Sequence, residues 1–173
     1  PPRTEDLIDN NGFQTHINAE KSRNFELGLR SNLGGLGIDV TAFREAVLAQ
    51  HNHYRATHGV PPLVLSPSLN ATAQHHAAQL ARTNRLVHSH HSQVGENLAM
   101  FRSSHHEPPP PAAVVERWYR EINDYTFTQP GFQAHTGHFT QVVWKASHAL
   151  GIGMAQAGDG TWYLVGHYSP PGN

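Results

Sequence analysis

Gly137-His138-Phe139-Thr140-Gln141-Val142-Val143-Trp144-Lys145 is the stretch on which the fold assignment turns. Phe139, Val142, Val143 and Trp144 are β-formers, and glycine punctuates the approach at Gly131 and Gly137, so propensity predicts a β-strand here. Alternation then puts His138, Thr140, Val142 and Trp144 on one face and Phe139, Gln141 and Val143 on the other. On that reading His138 stands at the mouth of a core strand, beside a buried tryptophan, where cavities open. The plainer alternative is an ordinary core strand with a histidine at its exposed end. Propensity alone does not separate the two.

Working outward, Leu150 to Met154 and Thr161 to Tyr168 read as two more strands, with Gly158-Asp159-Gly160 as the hairpin signal between them. Upstream, Val115, Trp118, Tyr119 and Ile122 share one face of a helix with Glu121 at its border. Another helix opens with Ser66 as N-cap and Pro67 at its first position. Its stripe is Leu69, Thr72, Ala73, His76, Ala77 and Leu80. A first helix carries Phe43, Ala46, Val47, Gln50 and Tyr54, with Gly59 where a C-terminal cap belongs. Between Leu86 and Pro111 the periodicity lapses. This reads as a long connection holding His88, His90, His91, Gly95-Glu96-Asn97-Leu98-Ala99 and His105-His106. The order of elements predicts an α+β fold in which helices cover a mainly antiparallel sheet. Trp144, Trp118, Phe139, Val143 and Leu164 are expected in its core. Residues 1–38 are polar and aperiodic, closed by Gly34, Gly35 and Gly37, and read as an extended arm or linker before a domain over 39–173.

A chain of 173 residues suits one domain large enough to bury a core. Its formal net charge is −1 with histidine neutral, which gives no reason to expect nucleic acid as a partner. That charge would reach +14 once all 15 histidines carried a proton, so the surface field depends strongly on pH. Anionic lipid is therefore an expected partner in acid. There are no cysteines, which excludes disulfides and thiolate chemistry. No apolar run approaches the roughly 20 residues of a membrane span. The chain opens on Pro1 rather than methionine, as a processed form or a fragment would, and Asn70-Ala71-Thr72 is a glycosylation acceptor pattern; a processed start and this pattern together favour a secreted protein.

Four segments, in order, resemble the CAP superfamily of cysteine-rich secretory, antigen-5 and pathogenesis-related proteins. They are His51-Asn52 with Arg55, Gly95-Glu96-Asn97-Leu98, Gly137 to Trp144, and Tyr168-Ser169-Pro170-Pro171-Gly172-Asn173. His58-Gly59-Val60-Pro61-Pro62-Leu63, Arg117-Trp118-Tyr119 with Glu121-Ile122, and Gln129-Pro130-Gly131-Phe132 look most like its Golgi-associated plant pathogenesis-related subgroup. The resemblance runs from about Val40 to Asn173 and implies a three-layer α-β-α sandwich. It also implies a cavity lined by two histidines and two glutamates, which match His88, Glu96, Glu121 and His138. His90 and His91 lie close enough to His88 in the same loop to be alternatives to it. Neutral imidazoles with nearby carboxylates can hold Zn²⁺ or Cu²⁺. The same four can equally form a hydrogen-bonded polar cavity without metal. The absence of cysteine and the excess of histidine both depart from the family pattern.

Three functional classes follow. The first is a non-catalytic binding module for lipid, sterol, metal or a protein partner. It would be extracellular, or on the cytosolic face of the Golgi membrane if the subgroup resemblance governs. The second is a hydrolase using the cavity; Ser89, Ser92 and Ser147 lie near candidate histidines, but no Gly-x-Ser-x-Gly turn occurs. The third is a matrix protein that self-associates through metal on scattered histidines.

Overall fold

The computed structural model describes residues 39–90 and 93–173. The arm expected over 1–38 lies outside the described residues, as do His91 and Ser92. Helix α1 (Val40–Thr57) buries Phe43, Val47, His51 and Arg55, successive positions of one helical face. It ends at Gly59, whose φ of +64° is the left-handed turn expected of that residue. A two-residue strand β1 (Val64–Leu65) leads into helix α2 (Pro67–Thr83). The Ser66 hydroxyl caps α2 by accepting from the Leu69 amide at 3.4 Å, and Asn84 closes it with φ 50°. Strand β2 (Gly95–Phe101), helix α3 (Pro111–Tyr119) with a 3₁₀ turn (Arg120–Asp124), and a six-residue helix α4 (Gly137–Val142) follow. Strands β3 (Ala149–Gln156) and β4 (Trp162–Ser169) end the domain.

The four strands form one sheet in the order β1-β3-β4-β2, antiparallel except for the short β1–β3 pair. Alternation along β4 sorts its side chains to two faces. Tyr163 and Val165 join Ala73, Ala77 and Leu80 of α2 in one buried cluster. On the opposite face Tyr168 meets His51 of α1, and Gly166 lies under the Trp118 ring of α3. The expected α-β-α sandwich is the one found.

Helix α2 lies very close to β3. A Cβ at Gly151 would fall 2.1 Å from the Leu69 carbonyl carbon, and one at Gly153 would fall 2.3 Å from that of Ala73. Glycine is required there for the approach of two backbones. The same approach lets α2 side chains pair the strand's backbone: the Ile152 amide donates to Asn70 Oδ1 at 2.8 Å, and Gln74 both donates to and accepts from Met154. Asn70 is thus 7% exposed with its amide turned to the sheet. A glycan on this side chain would have to displace the contact, so the Asn70 pattern lends a secreted reading no structural support.

Two expected elements are corrected. The stretch 95–101, read as connection, is strand β2, paired with β4 from Gly95 opposite Tyr168 to Phe101 opposite Trp162. The stretch read as the central strand is α4 and the turn after it. Its β-formers are overridden by two groups that satisfy helix ends. Glu121 Oε2 accepts from the amides of His138 (2.9 Å) and Phe139 (3.2 Å), placing a carboxylate at the helix N-terminus. At the other end the buried Arg55 guanidinium donates to the carbonyls of Val142 (3.0 Å), Trp144 (2.9 Å) and Ser147 (2.9 Å). Trp118, Phe139 and Leu164 are buried as expected. Val143 and Trp144 are only half-buried, because the helix carries them to its C-terminal, outward end.

Candidate functional site

One cavity of about 750 Å³ is lined by His88, Glu96, Glu121 and His138 together, with Asn97, His135, Gln141 and the C-terminal residues from Pro171 to Asn173 around them. A smaller adjoining cleft against Trp118 is also lined by His88, Glu121 and His138. The two imidazoles therefore border the same space, although 50 residues of chain separate their positions.

The His138 side is built from backbone. Glu121, in the 3₁₀ turn after α3, caps α4 through Oε2, and its Oε1 accepts from His138 Nδ1 at 2.6 Å. One carboxylate thus ends the helix and orients the ring on its first turn. A carboxylate oxygen only accepts, so His138 Nδ1 carries a proton, and in the neutral ring Nε2 holds the lone pair.

The His88 side is built from side chains. His88 sits in irregular chain between α2 and β2, with its side chain 66% exposed. Its Nδ1 donates to Glu96 Oε1 at 2.7 Å, and the Ser89 amide donates to the same oxygen at 2.9 Å. Oε2 of Glu96 accepts from His167 Nε2 at 3.0 Å. The β2–β4 register sets Glu96 directly opposite His167. His167 is fully buried, and its Nδ1 meets the Thr72 hydroxyl of α2 at 2.9 Å. Burial works to raise the Glu96 pKa, but hydrogen bonds from His167, Ser89 and His88 outweigh it and hold the carboxyl down at about 2. His76, one turn beyond Thr72 on α2, points Nε2 at the Val87 carbonyl at 2.9 Å and lies 3.8 Å from Glu96 Oε2. For His88 and His138 alike, Nε2 has no protein partner among the described residues.

The segments that carry the sequence resemblance both line this cavity and hold it up. His51 Nδ1 donates to the Val47 carbonyl, and its Nε2 accepts from the Tyr168 hydroxyl at 2.8 Å. Asn97 Nδ2 donates to that hydroxyl (3.2 Å) and to the His138 carbonyl (3.0 Å). Gln141 accepts from the Gly172 amide at 3.0 Å, and Thr140 donates to Asn173 at 2.6 Å. Burial lowers the His51 pKa to about 4, against the Val47 carbonyl, which favours its protonated form. Burial likewise raises the Tyr168 pKa well above its ordinary value.

The remaining candidates sit elsewhere. His90 is exposed and does not line the cavity, and His91 and Ser92 are outside the described residues. The His106 carbonyl accepts from Trp162 at the far end of the β2–β4 ladder from Glu96 and His88. Ser147 donates its hydroxyl to the Pro170 carbonyl at 2.8 Å. Among the described residues, no three His, Asp or Glu side chains converge as a ready metal-ligand set. No helix of the described residues is long and apolar enough to cross a membrane. A separate apolar groove of about 500 Å³ lies against α4, with Tyr125, Phe127, Phe139, Val143 and Trp144 on its walls and Lys145 among its lining residues.

Comparison with known proteins matches residues 48–168 to the family described as CAP, the cysteine-rich secretory protein family. The human Golgi-associated plant pathogenesis-related protein 1 is 47% identical over 134 residues, covering 76% of this chain and 84% of that protein. A pathogenesis-related protein of PR-1 type from Sambucus nigra is 38% identical over 127 residues, covering 71% and 73%. Among solved structures, BmVAL-1 superposes with a TM-score of 0.64 at 25% identity, covering 76% of this chain and 78% of that one. NaASP2, crystallised with Zn²⁺, gives 0.62 at 22% identity, covering 75% and 80%.

Proposed function

The chain belongs to the CAP family, and from that premise we propose that it is a non-catalytic binding domain whose cavity takes a divalent metal, zinc first, through Nε2 of His88 and Nε2 of His138. One observation carries this reading. Both imidazoles line the same cavity, and each has Nδ1 bound to a glutamate, which leaves Nε2 as the lone-pair nitrogen of each neutral ring. That donor set suits zinc: neutral nitrogen ligands backed by carboxylates that fix the tautomer. Glu96 and Glu121 then act as outer partners, since their oxygens already hold protein N–H groups. With two imidazoles from the protein, water or a ligand would complete the coordination. The metal would supply Lewis acidity; the chain's own residues orient the rings and shape the cavity around them. A structural relative crystallised with Zn²⁺ makes that ion the first to try.

Calorimetric titration of ZnCl₂ into the protein tests it. Wild type should show one site that disappears in the double substitution His88→Ala, His138→Ala. Affinity should also fall in acid, because a protonated imidazole cannot ligate. Unchanged zinc binding in the double variant would move the metal away from this cavity.

A second reading concerns lipid. The apolar groove beside α4 has the size of a small-ligand site, and Phe127 on its wall is 63% exposed. An apolar ligand such as a sterol or acyl chain would cover that aromatic surface. Replacing Phe127 with Asp should abolish uptake of a fluorescent sterol while leaving zinc binding unchanged. Uptake that survives the substitution rejects the groove as the lipid site.

A further inference from the structure

His88 is the half of the proposed metal site with the least to hold it. It lies outside regular structure with its side chain largely in solvent, yet a ligand must be held in one orientation for its lone pair to point at a metal. Three contacts from behind supply that orientation, and two of them come from buried histidines. His76 bonds the Val87 carbonyl, one residue before His88. Glu96 takes the His88 ring and the Ser89 amide, one residue after it. His167 takes the other oxygen of Glu96, and Thr72 closes the line from α2. Thr72 and His76 stand four positions apart on one helical face, so a single turn of α2 reaches both the loop and the carboxylate behind it.

We infer that His76 and His167 are positioning residues for the His88 half of the cavity, acting on the metal ligand through Val87 and Glu96 without touching the metal. The inference rests on the zinc reading for its effect on affinity, but its effect on the His88 ring does not need metal. The resemblance that pointed to the four cavity residues assigned neither histidine a part. Two of the chain's fifteen histidines, neither of them part of the resemblance, thereby acquire a place in the site. The neighbours of His167 make the geometry specific. Its Nε2 must donate to a carboxylate, while its Nδ1 sits against a hydroxyl that can donate or accept, so the ring is fixed at both nitrogens inside the core.

The two amide substitutions at His167 separate the contacts. An asparagine amide reaches about as far as Nδ1, so His167→Asn keeps Thr72 and loses Glu96. A glutamine amide reaches about as far as Nε2, so His167→Gln keeps a donor toward Glu96. In metal-free protein at neutral pH, ¹H–¹⁵N NMR of the imidazole rings should show both His88 and His138 protonated on Nδ1. His167→Asn should shift His88 toward a mixture of tautomers and leave His138 as it was. Zinc affinity should fall about 10- to 100-fold, the usual effect of removing such an outer partner. His167→Gln should restore both readouts. His76→Leu leaves the Val87 carbonyl without its partner and should speed hydrogen exchange at the Ser89 amide; an unchanged rate removes His76 from the set. His167→Asn with an unaltered His88 ring overturns the inference. So does a change that affects both rings equally, since that is general loosening of the fold. A wild-type protein that takes no zinc refutes the metal reading alone, and the tautomer of His88 still decides this one.

Discussion

The two halves of the cavity present the same pair, an imidazole whose Nδ1 is held by a glutamate, and reach it by opposite means. On the His138 side the glutamate is also a helix cap, so backbone, fold and ring orientation hang on one carboxylate. On the His88 side the glutamate is held by side chains from another strand and another helix, and the loop it orients has little structure of its own. The first arrangement is stiff and cannot be altered without cost to the fold. The second can be altered piece by piece. The comparison predicts that damage to the His138 half appears as lost stability, and damage to the His88 half as lost ligand orientation.

The largest expected effect is at Arg55. Arg55→Met leaves the carbonyls of Pro61, Val142 and Ser147 without their donor, while that of Trp144 keeps the Ser147 amide. At about 1–3 kcal/mol for each buried unpaired group, the loss should be about 3 kcal/mol or more by urea denaturation. A loss under about 1 kcal/mol would show that α4 does not depend on this clamp, and the contrast between the halves would fail on its stiffer side.

Acid should reach the two halves in sequence. His51, which supports the His138 carbonyl through Tyr168 and Asn97, has its pKa lowered to about 4 in the folded chain by burial. The unfolded chain therefore takes the proton first. The stability that neutral His51 contributes is complete above about pH 6.5 and is lost as pH falls from there toward 4, by about 3 kcal/mol in all. Glu96, held at about 2, contributes stability that is complete above its ordinary 4.5 and lost only as pH falls from 4.5 toward 2. Denaturation of metal-free protein across this range should show two successive declines. His51→Gln should flatten the upper one and spare the lower. A flat profile between pH 6.5 and 4 would contradict the buried neutral state of His51.

Glu121→Gln is next in size. The amide oxygen can still take both backbone N–H groups, which share Oε2, but the charge at the α4 N-terminus is gone and an NH₂ group then faces His138 Nδ1, at a cost of about 1–2 kcal/mol. Zinc affinity should fall in the same variant, since ring and helix share the carboxylate. If stability holds while affinity falls, capping and orientation are separable on this side too.

What was legible in the sequence divides along the same line. Local signals were reliable: Ser66 and Pro67 for the start of α2, Gly59 for the end of α1, and Gly158-Asp159-Gly160 for the β3–β4 hairpin. The errors fell where distant groups decide. Nothing local in 137–145 announces that Glu121 will take two of its amides or that Arg55 will reach Val142 from 87 residues away, so its β-formers misled. Polar Glu96 and Asn97 hid strand β2 in what looked like a loop. Missing that strand also hid His167, because its place behind Glu96 follows only from the β2–β4 register. The four cavity residues came from resemblance, since positions spread from 88 to 138 make no local metal pattern.

The smallest expected effect tests how far the side-chain line behind His88 extends. Thr72 is three contacts from the ring it would influence: it meets His167, which meets Glu96, which meets His88. Thr72→Val keeps the shape and removes the hydroxyl. His167 then loses one of its two fixed nitrogens but keeps Nε2 toward Glu96. One neutral hydrogen bond is worth about 0.5–1.5 kcal/mol, and only part of it passes down the line, so zinc affinity should weaken about two- to fivefold. The sharper test is the cycle with His167→Asn. If Thr72 acts solely through the bond from His167 to Glu96, adding Thr72→Val to His167→Asn should change affinity no further. A coupling energy near zero, with the two losses simply adding, would mean that Thr72 influences the cavity by another route and that the line ends at His167.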